Sequence, residues 1–421
     1  MSEFIKKYAI TCALLFSFCF IILPREGHSS DVSLWADWAT YIYSNGIGNV
    51  YNCNTDYLPL YHYILKLFGN MTGDAGKIRD MIHYLKLITL VFDFIIGFFI
   101  ALMIKRQEMN WEKILLNVII FYLLNIAILY NSIVWNQVDS ILTCFAFISC
   151  YFAFKKRITL SLVFLILAIN FKLQAIIFVP IIGLLLLPVA VSTFSVMRLA
   201  QWLLVPCLLQ LLIVLPFLMA GTGEKLLDVV FNSVGKYPKV SMNAYNIWDI
   251  FLPGANLIEM NDSEIFIGAT YKTWGLCMFF ISSAIALFPL AKRALLAIIK
   301  KKEFTISLEK FLLTCSLIPL LFFFFNSQMH ERYSHPAFAF LVTYALYTKK
   351  PFVAIIGCLA YLLNLEGVLR ALGLHLYNRA LIFDRTFIAC LFLLVIVLLY
   401  ADLYDLSFKR KRKENPAIAS S

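Results

Sequence analysis

Apolar runs of about 20 residues recur from one end of the chain to the other, and each is long enough to cross about 30 Å of hydrocarbon. This feature restricts the fold most. A segment inside lipid must satisfy its own backbone N–H and C=O groups, so it cannot be irregular where it meets lipid. Of the 421 residues, 61% are hydrophobic and 14% charged, against about 45–50% and about 25% in soluble chains. The expectation is an all-α polytopic membrane protein, a single domain over residues 1–408 followed by a basic cytoplasmic tail, 409–421.

Basic clusters punctuate the runs: Lys6-Lys7, Lys105-Arg106, Lys155-Lys156-Arg157, Arg198, Lys292-Arg293, Lys300-Lys301-Lys302, Lys349-Lys350 and Lys409 to Lys413. If each marks the cytoplasmic side, the chain alternates without conflict. The spans expected are 7–24, 82–104, 114–131, 138–154, 158–170, 174–196, 199–220, 268–290, 309–326, 336–348, 351–366 and 384–404. That makes about twelve transmembrane helices with both termini cytoplasmic. The first run is read as a retained helix, because Pro24-Arg25-Glu26 stands where a signal peptide would need small residues. The net charge of +11 is distributed by membrane side, so it does not imply nucleic acid. The ten cysteines lie mostly inside apolar runs and read as core packing rather than a disulfide framework.

The runs 158–170 and 336–348 are short for a span and abut polar clusters, which suggests broken or re-entrant helices beside a wet cavity. Large outer loops are expected at 25–81 and 221–267, so polar machinery gathers on the face away from the cytoplasm. The loop 25–81 should open with an interfacial helix, with Leu34, Trp35, Trp38, Tyr41 and Ile42 on one side. Ser29 or Ser30 would cap it, Asp31 would sit at its positive end, and Asn45-Gly46 would stop it. Tyr57-Leu58-Pro59 would then lead into a short helix ending near Gly69.

Chemistry is sought among the polar residues of this face. Asp31, Asp37 and Asp56 are carboxylates suited to general-base work, or to capping and solvation. Asp139 stands at a helix mouth in Trp135-Asn136-Gln137-Val138-Asp139, and reads as functional or as a cap. Lys172, between Asn170 and Gln174, needs an anion or must snorkel to the headgroups. In His330-Glu331-Arg332, Arg332 has the planar fork for phosphate and Glu331 can pair with it. His330 and His335 do not have a zinc-site spacing, and no metal ligand set is assigned. Asp93, in mid-helix, needs a partner such as Lys172 or an asparagine. Asn243, Asn246 and Trp248 suit sugar hydroxyls and faces, or loop packing.

In order along the chain, these clusters resemble the signatures of the GT-C superfamily of membrane glycosyltransferases. The resemblance rests on Ser30-Asp31, Trp38, Gly46, Tyr51 and Asp56-Tyr57-x-Pro59-Leu60-Tyr61, then on Trp135-x-Gln137-x-Asp139-Ser140. It continues in Lys172-Leu173-Gln174 with Pro180, in Ser241-x-Asn243-Ala244-x-Asn246-x-Trp248, and in Met329-His330-Glu331-Arg332-Tyr333. Leu58 departs from the proline expected there. The resemblance implies inverting transfer of a hexose, glucose or mannose, from a polyprenyl-phosphate donor such as undecaprenyl phosphate to a glycan or lipid-linked acceptor. Asp31 is the implied base, with Asp37 as the alternative. Arg332, Lys172, Gln174 and His330 would hold the donor phosphate. Asp56, Tyr57, Gln137, Asp139, Asn243, Asn246, Trp248 and Glu331 would contact sugar or acceptor, or shape the loops. No cofactor is called for, although a divalent cation is compatible with the set. The implied setting is a bacterial inner membrane with the active site facing the periplasm and O-antigen-like polysaccharide as one acceptor. A twelve-helix transporter or a lipid or polysaccharide flippase is the competing class.

Overall fold

The computed structural model describes residues 2–105, 110–233, 235–374 and 382–406, so the basic tail 409–421 lies outside the described residues. The protein is helical almost throughout, with a two-stranded hairpin, Ile265–Phe266 and Ala269–Thr270. Eight helices are long and apolar enough to cross a membrane, and a ninth span arises if Trp111–Leu123 and Ile126–Val134, bent by 49° at their junction, count as one. This is a polytopic helical membrane protein.

Fewer helices pass as full spans than the twelve expected, although each expected run has a helical counterpart. The difference lies in the interior. Asp139–Phe154, Ile158–Phe171 and His335–Thr348 run for 16, 14 and 14 residues. Asp139–Phe154 and His335–Thr348 are buried along most of their length, packed on each other and on Leu85–Ile104. Irregular backbone beyond their ends is therefore shielded by protein, the condition under which it is tolerated at membrane depth. Ser2–Ile22, Val196–Met219 and Tyr271–Ile299 lie at the periphery and present Leu14, Leu212, Phe280 and similar side chains outward. Cys207, Cys277 and Cys390 are exposed on helices of this kind, contrary to the core-packing expectation, whereas Cys144, Cys150 and Cys315 are buried.

The first loop folds as expected in outline. A helix spans Ser29–Asn45 and stops at Gly46, whose φ of 80° is one that a side chain resists. Its cap position is His28, which makes no side-chain cap bond, so neither Ser29 nor Ser30 caps it. The following helix, Pro59–Thr72, begins on Pro59 and runs past Gly69 to Gly73, which takes the left-handed cap conformation. Gly69 lies inside this helix, where a Cβ would meet Tyr43 Cβ at 3.6 Å, an ordinary contact, so the helix does not stop there. The loop's aromatic residues pack inward. Trp35 meets Tyr61 edge-on at 5.5 Å, Tyr57 lies 5.2 Å from Trp38 and 4.9 Å from Tyr61, and the Trp38 indole donates to Asn54 O. They brace the loop helix rather than anchor it in lipid, whereas Leu34 is exposed.

Asp93 accepts from Ser132 Oγ at 2.8 Å. Its partner is thus a serine hydroxyl, since Lys172 is engaged by Asp139.

Candidate functional site

Asp31 is held from behind by a strap of backbone. Buried Lys86 donates from Nζ to Pro24 O at 2.7 Å and Glu26 O at 2.5 Å, which fixes the chain leading into the loop helix. Gly27 then passes so close to the Trp135–Asn136 turn that a Cβ would lie 2.8 Å from Asn136 Cβ. His28 N–H donates to Trp135 O at 3.1 Å, and the His28 ring stacks on the indole at 5.9 Å. Asn136 takes a φ of 64°, which an asparagine adopts more readily than most residues. That turn delivers Gln137, whose Nε2 donates to Asp31 Oδ2 at 2.5 Å. His28 Nδ1 stands 3.3 Å from the same oxygen.

The cations arrive from elsewhere. Helix Ile158–Phe171 ends at Lys172, whose backbone is extended, and Nζ reaches Asp139 Oδ1 at 2.9 Å while lying 4.6 Å from the Tyr333 ring centre. Arg332, 8% exposed, faces three carboxylates at once. Nη1 donates to Glu331 Oε1 at 2.7 Å, Nη2 lies 3.6 Å from Asp31 Oδ2, and Nε lies 3.7 Å from Asp139 Oδ2. Arg332 Nε and Asp139 Oδ2 are buried and lack a hydrogen-bond partner among the described residues. Gln174 Nε2 donates to Tyr333 O at 2.8 Å and so ties the turn after Lys172 to the turn that carries Arg332.

These charges set one another's protonation. Burial alone would raise the Asp31 carboxyl, but the His28 ring 3.3 Å away and the positive charge of Arg332 hold it well below the ordinary carboxylate range. The same contact with Asp31 raises His28. Burial raises Glu331 against the pull of Arg332, and burial with the nearby Arg332 and Lys172 lowers His330, which favours its neutral form.

The group opens on a cavity of about 730 Å3, within the range typical of small-molecule sites. Asp31, Lys172 and Arg332 lie on its polar wall. Ile176, Leu276 and Phe322 supply an apolar wall, and the first two belong to candidate spans and are themselves exposed. Asp56 also lines it, paired with Lys236, and so do Tyr57, His330, Glu331 and Asn243, whose carbonyl accepts from Asn364 Nδ2. Met242 and Asn243 bridge to His330, which pins the second loop over the Arg332 turn.

Gln137 and Asp139 do not line the cavity themselves but bond to Asp31 and Lys172, which do, and three further anticipated residues are placed elsewhere. Asp37 pairs with Arg79 on another face of the loop helix, as six positions along a helix dictates, and does not line the cavity. Asn246 caps helix Ile247–Phe251 in a reciprocal capping box with Asp249. Trp248 is fully buried 5.3 Å from Tyr271, so both residues shape the loop. His28 and Lys272 are among the cavity residues that were not anticipated. His28, three positions before Asp31, was legible as an i, i+3 neighbour at a helix start. Lys272 lines the cavity from the first turn of Tyr271–Ile299, with no acidic ion-pair partner among the described residues. Among the described residues, no group of three His, Cys, Asp or Glu side chains is placed to hold a metal.

No protein-family model matches the chain, and a search of curated proteins gives no match.

A consequence of the His28 contact can be measured by an NMR titration of the Asp31 carboxyl. His28→Phe keeps a ring on Trp135 but removes a group that lowers Asp31. The group lowered in the native site loses its charge only as pH falls through a depressed value, so its titration should lie below about pH 4. In His28→Phe that titration should move toward higher pH, and an unmoved titration would separate His28 from Asp31.

Proposed function

We propose that this protein is an inverting hexosyltransferase of the GT-C type, with about twelve membrane-embedded helices. In this reading it takes glucose or mannose from a polyprenyl-phosphate donor, of the undecaprenyl kind, and passes it to a glycan or lipid-linked acceptor at the periplasmic face of a bacterial inner membrane. The observation that carries the reading is the convergence of Asp31, Lys172 and Arg332 from distant stretches on a single cavity with one polar and one lipid-side wall, with Gln137 and Asp139 bonded to them from behind. A donor with a charged head and a hydrocarbon tail needs that pairing of walls.

Asp31 accepts the acceptor hydroxyl's proton as that oxygen attacks the anomeric carbon from the face opposite the phosphate. The C–O bond to phosphate breaks, and the leaving phosphate keeps its electron pair. Arg332, Lys172 and His330 line the same cavity, where fixed donors stabilise charge developing on phosphate oxygens. A carboxylate held so far below its usual range is a weak base in the resting site. A donor phosphate that engages Arg332 offsets its pull on Asp31 and raises the base toward its working range. Lys272, not committed to a carboxylate, adds a cation on the lipid side of the cavity. Lys272→Ala is expected to raise the donor KM about fivefold to tenfold with little change in kcat; an unchanged KM would remove it from donor binding.

The flippase or transporter reading predicts charge at the membrane midplane and lipid-linked sugar crossing unchanged. Mass spectrometry of surface polysaccharide, with and without the gene, tests the proposal: loss of one hexose per acceptor unit is expected. Intact decoration without the gene would refute it.

A further inference from the structure

A second concavity lies at the opposite end of the helical hairpin that carries Asp139 and Lys172. Asp139–Phe154 and Ile158–Phe171 pack against each other, and their far ends are joined by the tight turn Lys155-Lys156-Arg157. Sixteen helical residues separate that turn from Asp139, a rise of about 24 Å. The concavity, of about 420 Å3, is lined by Lys156 and Arg157 from the turn and by Arg198 and Trp202 from helix Val196–Met219.

Three things distinguish it from a scatter of membrane-edge cations. First, Lys156, Arg157 and Arg198 converge from two separate elements, and none of its lining residues is acidic. The nearest carboxylate recorded, Glu303, takes only Lys156, at 2.6 Å. Second, the guanidinium of Arg198 is oriented by a bond from Nη1 to Thr193 O at 2.7 Å, with its other donors uncommitted among the described residues. Third, the helix Ile158–Phe171 starts on this concavity without a side-chain cap, so its first N–H groups add positive potential. Leu160, Val189 and Trp202 supply an apolar part of the wall beside Thr159, Thr193 and Gln201, and Leu203 and Leu199 face outward from a helix that is exposed along most of its length. An anionic head between arginines, with hydrocarbon running down an apolar helix and tryptophan at the boundary, is the chemistry of a phospholipid at a membrane edge.

We infer that this concavity binds the phosphate of an anionic phospholipid, on the opposite membrane face from the candidate catalytic cavity. The lipid bridges the turn after Phe154 to the start of Val196–Met219. That helix is sparsely packed, and its polar ties to the rest of the fold include the reciprocal amide pair of Gln210 and Asn170.

The test uses the full chain purified in mild detergent. Retained lipid is read by native mass spectrometry, and thermal stability is read on adding phosphatidylglycerol, phosphatidylcholine or inorganic phosphate. Phosphatidylglycerol should be retained and should raise Tm, with phosphatidylcholine and phosphate ineffective. Arg157→Gln/Arg198→Gln should lower phosphatidylglycerol retention about tenfold, while Lys300→Gln/Lys301→Gln, which removes equal charge elsewhere on the same face, should not. Equal retention by the Arg157→Gln/Arg198→Gln protein overturns the site. Equal loss in the lysine control reduces the effect to bulk charge and overturns it as well. Stabilisation by inorganic phosphate equal to that by phosphatidylglycerol would assign the site to a free anion instead of a lipid.

Discussion

Asp31→Asn is expected to lower hexose transfer about a thousandfold while the protein still accumulates in the membrane. The amide keeps the size of the side chain and an oxygen for the Gln137 Nε2 donor, which sits at 2.5 Å. It cannot take a proton from the acceptor. It also loses attraction for Arg332, but that contact is long, at 3.6 Å, and Arg332 retains Glu331 at 2.7 Å. The fold should therefore tolerate the change better than the chemistry does. Asp37→Asn is the matched control. Asp37 shares the loop helix and the residue type, yet its partner is Arg79 and its position lies off the cavity. Its substitution should leave transfer within about twofold. Full activity in Asp31→Asn would remove Asp31 as the base, and loss in Asp37→Asn alone would move that role six residues along the helix.

The second large effect is on stability. Asp139 is 1% exposed and stands between Lys172 at 2.9 Å and Arg332 Nε at 3.7 Å. Asp139→Ala leaves Lys172 without its carboxylate, while Arg332 keeps Glu331 and Asp31. Removing one partner of a buried pair costs about 3–5 kcal/mol, because the survivor keeps its desolvation cost without its attraction. The variant should unfold at markedly lower denaturant in micelles. Asp139→Ala/Lys172→Met, which removes the nearer cation too, should recover part of the loss, since the double change also removes the cation that the single change leaves unpaired. A single variant as stable as the native protein would show that water reaches these charges freely.

Much of this architecture was legible in the sequence. Apolar runs set the helices, Gly46 set the end of the loop helix, and Pro59 set the start of the next, because each rests on a local rule, whereas that next helix ran past the expected Gly69 to Gly73. What was not legible depends on distance in the fold. The separate interiors of Asp139–Phe154 and His335–Thr348 let those helices be short, and no window of sequence reports which helix is surrounded by others. Gln137 meets Asp31 across more than a hundred positions, and only the Trp135–Asn136 turn, seated on Gly27, makes that meeting. Asp37 could be set apart from Asp31 by helical periodicity alone. Trp248 and Asn246 could not be assigned from residue type, because amides and indoles serve loop packing and sugar contact equally well. Lys272 was hidden for a different reason: at the first turn of a long apolar helix it reads as an ordinary boundary cation.

Transfer itself is the most direct measurement. Membranes carrying the protein would be supplied with polyprenyl-phosphate hexose labelled in the sugar, together with an acceptor glycan, and the product's anomeric configuration would be read by NMR. Label is expected on the acceptor with the anomeric configuration inverted relative to the donor. Label that crosses the membrane still attached to polyprenyl phosphate, with none on the acceptor, would contradict it.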